Sequence, residues 1–570
     1  MNSPRLRAWS FALLVPLALG VGCNEEPKEP PPAAPVVLSP VPAPAGLVAE
    51  LFIPAPETLW NKLRIVVGGG SVFLPKGFGA LVATVFGLPI TAAGEVDTEV
   101  PVLGALVDLG PEKEPLAAVA IHVRDGGRFV DQLTLGDGAR FRARADEASG
   151  MKVLGLATGT SPYALAVLGN YLVVAKTEAA LLAVGPYVVR TMPTLAVPKE
   201  DLVVDVPESA LAGPLTARAK ATWSTVVEQR KAAGGGDPTA AATALFGLDP
   251  DKGLTETLAK MARARLSLVM GTESAELRLS ATPKAGATLG AGLAWGDAKP
   301  LLTLPRDTQL AALVRGDATS DGASQRARAA AIVSVLSRGR EGAAQAAMQQ
   351  ALADVALVPP SELAVGFSLT EMGPAGYVRG PVVDPKAMEK SLAALGKVLA
   401  TKDAKALFEG TGRTVTFGKT VLENRKGDVF RLRFSNVATE GKNKAPAPNG
   451  GLTSIDVLAA VRGDSLFAAT GTESREALGR LLGAEGEGAL GASPEARAAV
   501  ERLGGDVSLA VVAEPLVLWS AFRSGKSEAP SAPVSLSVGR DKASPGATVW
   551  IRLDAANAAL RELGRVMGSR

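Results

Sequence analysis

The chain has 570 residues, 47% apolar and 21% charged, the balance of an ordinary globular protein. Its 60 Lys and Arg stand against 57 Asp and Glu with no clustered basic stretch, which argues against a nucleic-acid-binding face. A single histidine, a single cysteine and 4% aromatic residues exclude multi-ligand zinc sites and c-type haem attachment, and argue against aromatic stacking platforms.

Arg5 and Arg7 precede an apolar run from Ala8 to Leu19, "AWSFALLVPLAL". Pro16 interrupts it, and it falls short of the ~20 residues that a membrane-spanning helix needs. Gly20, Val21 and Gly22 then lead to Cys23. A charged start, a short apolar core and small residues describe a secretory signal peptide over residues 1–22. The stretch "LALGVGC" resembles the lipobox of bacterial lipoproteins, with Gly20 where that family usually has a branched aliphatic residue. The resemblance implies cleavage before Cys23 and acyl chains on Cys23, the candidate lipidation site. It also implies a body held to a membrane of the bacterial cell envelope, the outer rather than the inner, facing the periplasm or the cell surface. Asn24 after the cysteine is compatible with that. Cleavage after Gly20 or Gly22, and an uncleaved anchor, are the alternatives. Lipidation would remove a lone free thiol from an oxidising compartment.

Residues 23–46 read as the lipidated cysteine and a proline-rich tether, "NEEPKEPPPAAPVVLSPVPAPAG" after the cysteine. Such a segment favours extended polyproline II, and at ~3.1 Å per residue it would reach roughly 70 Å.

The body reads as two similar halves, 47–300 and 301–570, from an internal duplication. "AVLGNYLVVA" from Ala166 and "AVRGDSLFAA" from Ala460 agree at five of ten positions. Both describe a strand, a Gly-Asn or Gly-Asp turn, and a strand. A helix-like run follows each, with Thr177 and Thr472 as expected N-caps. Further matches keep the same order, ending with "AELRLSA" from Ala275 against "VWIRLDA" from Val549. Period-two strings such as "SAELRLSA" and "DVFRLRFS" predict antiparallel strands with one covered face. Helices are expected from Pro207, from Ala323 with a break at Gly339 and Gly342, and from Asp384 as N-cap. The expected fold is α+β, each half a mainly antiparallel sheet with helices packed on one side. Residues 439–451 and 523–533 read as exposed loops. The phrase "LPRDT" at Leu304 resembles openings in bacterial surface lipoproteins of no assigned activity and implies none.

No stretch carries a catalytic motif. "GRTVTFGKT", Gly412 to Thr420, has the wrong spacing for a phosphate-binding loop, and its interior reads as strand. "SGMK", Ser149 to Lys152, matches S-x-x-K but lacks its partner motifs. His122 sits in a strand-like run and reads as a half-buried structural residue. No cofactor or metal site is expected. The sequence therefore points to a non-catalytic interaction or scaffold lipoprotein with a protein partner. The alternative is a carrier of lipid or another apolar ligand in a sheet–helix groove, with Val72 to Ile90 as a second apolar stretch of interest. A carboxylate-dependent hydrolase has the least support.

Overall fold

Two tight hairpins set the local pattern. Gly169 (φ 56°) and Gly463 (φ 53°) occupy the left-handed conformation that two-residue hairpin turns require, where a side chain would be strained. The strands on either side, Ala164–Leu168 with Tyr171–Ala175 and Ser454–Arg462 with Ser465–Gly471, pair antiparallel as the sequence predicts. After the first hairpin, the Thr177 hydroxyl accepts from Ala180 N and caps the following helix. After the second, the N-cap is Glu473 and no side chain caps the helix, so the expected role of Thr472 does not hold. Asp384 caps its helix as expected, accepting from Ala387 N with Pro385 next in the chain. From Pro207 the expected helix is split at Gly213.

The computed structural model describes residues 38–568, except 69–73, 111, 136–138, 233–249, 292, 316–342, 355–361, 371–372, 411–412, 423–427, 437–453, 525–531 and 542–545. The signal segment, Cys23, the first part of the helix expected from Ala323 and most of both expected loops lie outside the described residues.

The first part of the chain runs β1 (Leu47–Ile53), α1 (Pro56–Val67), α2 (Phe78–Phe86), β2 (Val102–Val107), β3 (Leu116–His122), α3 (Gly126–Thr134) and β4 (Phe141–Asp146). It continues with β5 (Met151–Leu156), β6 (Ala164–Leu168), β7 (Tyr171–Ala175), α4 (Glu178–Arg190), β8 (Leu202–Pro207), α5 (Glu208–Ala212), α6 (Pro214–Ala232), α7 (Pro250–Lys260), β9 (Met261–Met270) and β10 (Ser274–Pro283). The second part runs β11 (Leu310–Arg315), α8 (Ala343–Asp354), β12 (Glu362–Thr370), β13 (Gly373–Pro381), α9 (Pro385–Leu399), α10 (Lys402–Gly410), β14 (Arg413–Thr420) and β15 (Val429–Asn436). Then come β16 (Ser454–Arg462), β17 (Ser465–Gly471), α11 (Ser474–Leu482), α12 (Pro494–Arg502), β18 (Val507–Ala513), α13 (Pro515–Ser524), β19 (Val534–Arg540), β20 (Val549–Ala556) and α14 (Asn557–Gly568).

All of these strands join one open antiparallel sheet, 20 strands among the described residues. From one edge the order is β4-β5-β6-β7-β3-β2-β1-β8-β9-β10. From the other edge it is β14-β15-β16-β17-β13-β12-β11-β18-β19-β20. The two series meet at the β10–β20 ladder, where Arg278 pairs with Arg552, Ala275 with Ala555 and Ala281 with Val549. The halves thus share one sheet rather than carrying one each.

Helices lie against both faces, not one. On one face Ala180, Leu181, Val184 and Val188 of α4 pack on Ala118, Ala120, Ala166 and Val173. Leu478 and Leu481 of α11 and Ala499 of α12 pack on Leu313, Tyr377, Leu458 and Ala510 on the same side of the second half. This is the α4 face. On the other, the α1 face, α2 and α3 bury Leu154, Leu165 and Val174, while Leu59 and Val66 of α1 cover Leu202, Leu268 and Met270. At the far edge, α8, α9 and α10 place Met348, Leu399 and Phe408 against Val415 and Leu432. The physical reason is strand composition. β6 and β7 are apolar at every position, so both of their faces need cover.

The end of the expected tether is part of the body. Leu38 and Val41 pack against the α4 cluster, and the Thr191 hydroxyl accepts from Val41 N (2.9 Å) and donates to Val41 O (2.6 Å).

Candidate functional site

The central strands alternate side chains across the sheet, and both sets are unusual. On the α1 face a single row crosses ten strands from Leu202 through Leu268, Leu277, Leu553, Leu536, Val511, Ala312, Val365 and Val378 to Ala468. The next row reads Leu266, Leu279, Ile551, Val538, Leu509, Val314 and Leu363. No charged or polar side chain interrupts either row. Helices cover these rows towards both edges of the sheet. In the centre, however, Leu277, Leu279, Leu536, Ile551, Leu553, Val314 and Val365 are 36–47% exposed.

An antiparallel sheet with a solvated face normally carries polar residues there. Here the open face is aliphatic. The six strands from β10 to β12 span about 24 Å, and the two rows lie about 7 Å apart. Patches of a few hundred Å² on a single chain mark binding surfaces. Trp519 on α13, itself 48% exposed, adds an aromatic side chain on a helix that packs against β12.

The opposite side of β10, β19 and β20 is largely polar. Ser535, Ser537 and Asp554 are buried, and Arg502 of α12 donates from Nε to Asp554 Oδ1 at 2.8 Å. Farther out, Asp205 of β8 is clamped by Arg263 and Arg265 of β9. Burial works to raise its carboxyl, but the two guanidiniums outweigh it and hold Asp205 below the usual carboxylate range. On β13, Tyr377 is fully buried beside Ser368, Asp307 and Arg480; burial raises its phenol despite the hydrogen bonds that favour ionisation.

The residues singled out from the sequence do not converge. His122 ends β3 with Nδ1 3.0 Å from Asp97 Oδ2 and its ring edge-on to Tyr171, a half-buried structural setting. Ser149 closes a turn, with its hydroxyl donating to Asp146, while Lys152 points to solvent on β5. Arg413 to Thr420 form strand β14, so the near-miss phosphate loop is a strand. Of the Val72 to Ile90 stretch, Val82, Ala83 and Leu88 enter the core and Ile90 stays exposed. Among the described residues no group of three or more His, Cys, Asp or Glu is placed to hold a metal, and no helix is long and apolar enough to cross a membrane. The strings "SAELRLSA" and "VWIRLDA" did signal the aliphatic rows. What they could not signal is that the helices stop short of the centre.

No family model and no curated protein matches the chain. Among solved structures, the chain is similar to crystal form III of TP0453 at 8% identity and a TM-score of 0.22, over 45% of this chain and 83% of that one. Crystal form I of TP0453 gives 8% identity and a TM-score of 0.22, over 44% and 79%. Likenesses this distant say nothing of function.

Proposed function

We propose that the protein is a non-catalytic binding lipoprotein of the bacterial envelope. It is held by acyl chains on Cys23, and its open aliphatic sheet centre takes an apolar ligand, a lipid chain. One observation carries the reading: large aliphatic side chains from β10, β20, β19, β11 and β12 stand half exposed in register, on a face that is otherwise covered. Leu279 and Ile551 are each 44% exposed, so covering them would contribute about 1 kcal/mol each. A protein partner on the same face, the scaffold reading, is the other outcome of the test.

The reading includes an internal duplication. Its support is the identical strand order from each edge and the β10–β20 register. The aligned strings "AELRLSA" and "VWIRLDA" place Arg278 opposite its own counterpart Arg552, as a pseudo-two-fold axis demands. Duplication gives the aliphatic surface its site: it lies at and beside the seam, where the last strands of the two halves meet.

Native mass spectrometry of the full chain, extracted from membranes in mild detergent, is the direct test. Co-purified fatty acid or phospholipid, and saturable binding of a fluorescent fatty acid weakened about tenfold in Leu279→Ser/Ile551→Ser, is the expected result. An unliganded mass and no fatty-acid binding would overturn the carrier reading and direct the search to protein partners by crosslinking in the envelope.

A further inference from the structure

The polar side of the seam holds a cleft of about 520 Å³. Arg278 and Arg552, paired directly across the β10–β20 ladder, both line it. Like charges so placed repel. The fold answers with one carboxylate for each: Arg278 Nη2 lies 2.8 Å from Asp541 Oδ1, and Arg552 Nη2 lies 2.6 Å from Glu276 Oε2. A third guanidinium, Arg540, places Nε 2.6 Å from Asp506 Oδ2. Three guanidiniums thus meet three carboxylates, of which Asp506 and Asp541 line the cleft as well.

The carboxylates do not use up the donors. Each guanidinium carries five N–H groups in a fixed fork. The Nε of Arg278 and the Nε of Arg552 are both shut from water with no acceptor. A buried donor left unpaired costs about 1–3 kcal/mol, more when charged. A ligand in the cleft therefore meets the remaining Nη N–H groups of the two guanidiniums, whose buried Nε groups it does not reach. The site is also held in shape. Arg278 lies over the Trp550 ring at 5.4 Å, and Trp550 is pressed so close to Gly539 that a Cβ there would sit 2.3 Å from the indole. Donors fixed in advance lose little freedom on binding.

The geometry points to an oxyanion site: the cleft takes a phosphoryl group, with Arg278 and Arg552 as its principal donors and Arg540 beside them. Forked guanidiniums match the paired oxygens of phosphate. The cleft is larger than phosphate alone needs, so the group is either free phosphate or the head of a larger molecule such as a lipid. This site is on the opposite face from the aliphatic surface, and the two stand or fall separately.

The test is calorimetric titration of the full chain in non-ionic detergent with inorganic phosphate and with glycerol 3-phosphate, at low salt. Saturable binding of either is expected, weakened about tenfold in Arg278→Gln and in Arg552→Gln, and partly kept in Arg552→Lys, which holds the charge but lacks the fork. Tighter binding of glycerol 3-phosphate would assign the group to a lipid head, and equal binding to free phosphate. If a glutamine variant does not fold, the wild-type chain decides. Its melting temperature should rise with phosphate and not with sodium chloride of equal ionic strength. No saturable heat up to about 10 mM ligand, no phosphate-specific rise in melting temperature, or unchanged affinity in the folded glutamine variants, would overturn the site.

Discussion

Arg218 reaches from α6 to the buried Asp108, Nη2 to Oδ1 at 2.8 Å, and tethers that helix to the loop after β2. The Arg218 hydrogen bonds hold the Asp108 carboxyl below the usual range; burial opposes them, and the Gly110 N–H adds to them. Asp205 is shifted the same way. A carboxyl whose folded value lies below its unfolded value of about 3.9 stabilises the protein above that pH. The stabilisation is lost as pH falls through the folded value. Denaturant unfolding should therefore give a stability that is flat between about pH 7 and 5 and falls steeply below about pH 4. Asp108→Asn should lower stability at pH 6 and differ little from wild type at pH 2.5. An equal deficit at both pH values would show that the carboxylate charge is irrelevant.

At the scale of elements, the caps separate what local chemistry decides from what packing decides. Thr177→Ala removes the acceptor for Ala180 N and should cost about 1 kcal/mol by equilibrium unfolding. Thr472→Ala removes no cap and should stay within about 0.5 kcal/mol. A larger loss for Thr472 than for Thr177 would reverse the assignment. The same division explains which features were legible in the chain. The Gly169–Asn170 and Gly463–Asp464 turns, the Asp384 cap and the alternation in β10 and β20 depend on residues a few positions apart, and each was readable. Thr472 looks like Thr177 in sequence but sits where β13 meets β17, and the local turn places Glu473 at the cap instead. That helices take both faces depends on the continuous apolar runs in β6 and β7, whose meaning appears only with their neighbours in place. The oxyanion cleft was beyond reach, because Arg278 lies far in sequence from Arg540 and Arg552, and Arg278 and Arg552 read singly as the polar side of ordinary strands.

For the whole molecule, the eight residue pairs between β10 and β20 couple the halves. A continuous ladder predicts one cooperative heat-unfolding transition in calorimetry, with calorimetric and van't Hoff enthalpies in agreement. Ile551→Pro removes a ladder donor in the middle of the seam and should split the transition in two. Two transitions in the wild-type chain would mean that the seam does not couple the halves.

The position of the seam strand also sets an order of events at birth. Residues 549–556 leave the ribosome after the other nineteen described strands, yet they fill the middle of the sheet. Until they arrive, β10 and β19 are both raw edges with unpaired backbone groups and aliphatic side chains, the condition that invites aggregation. The contacts that close the sheet join residues 274–281 to 549–556, so closure is a late, long-range search. A chain cut short before Val549 would keep most of its strands and still lack its centre.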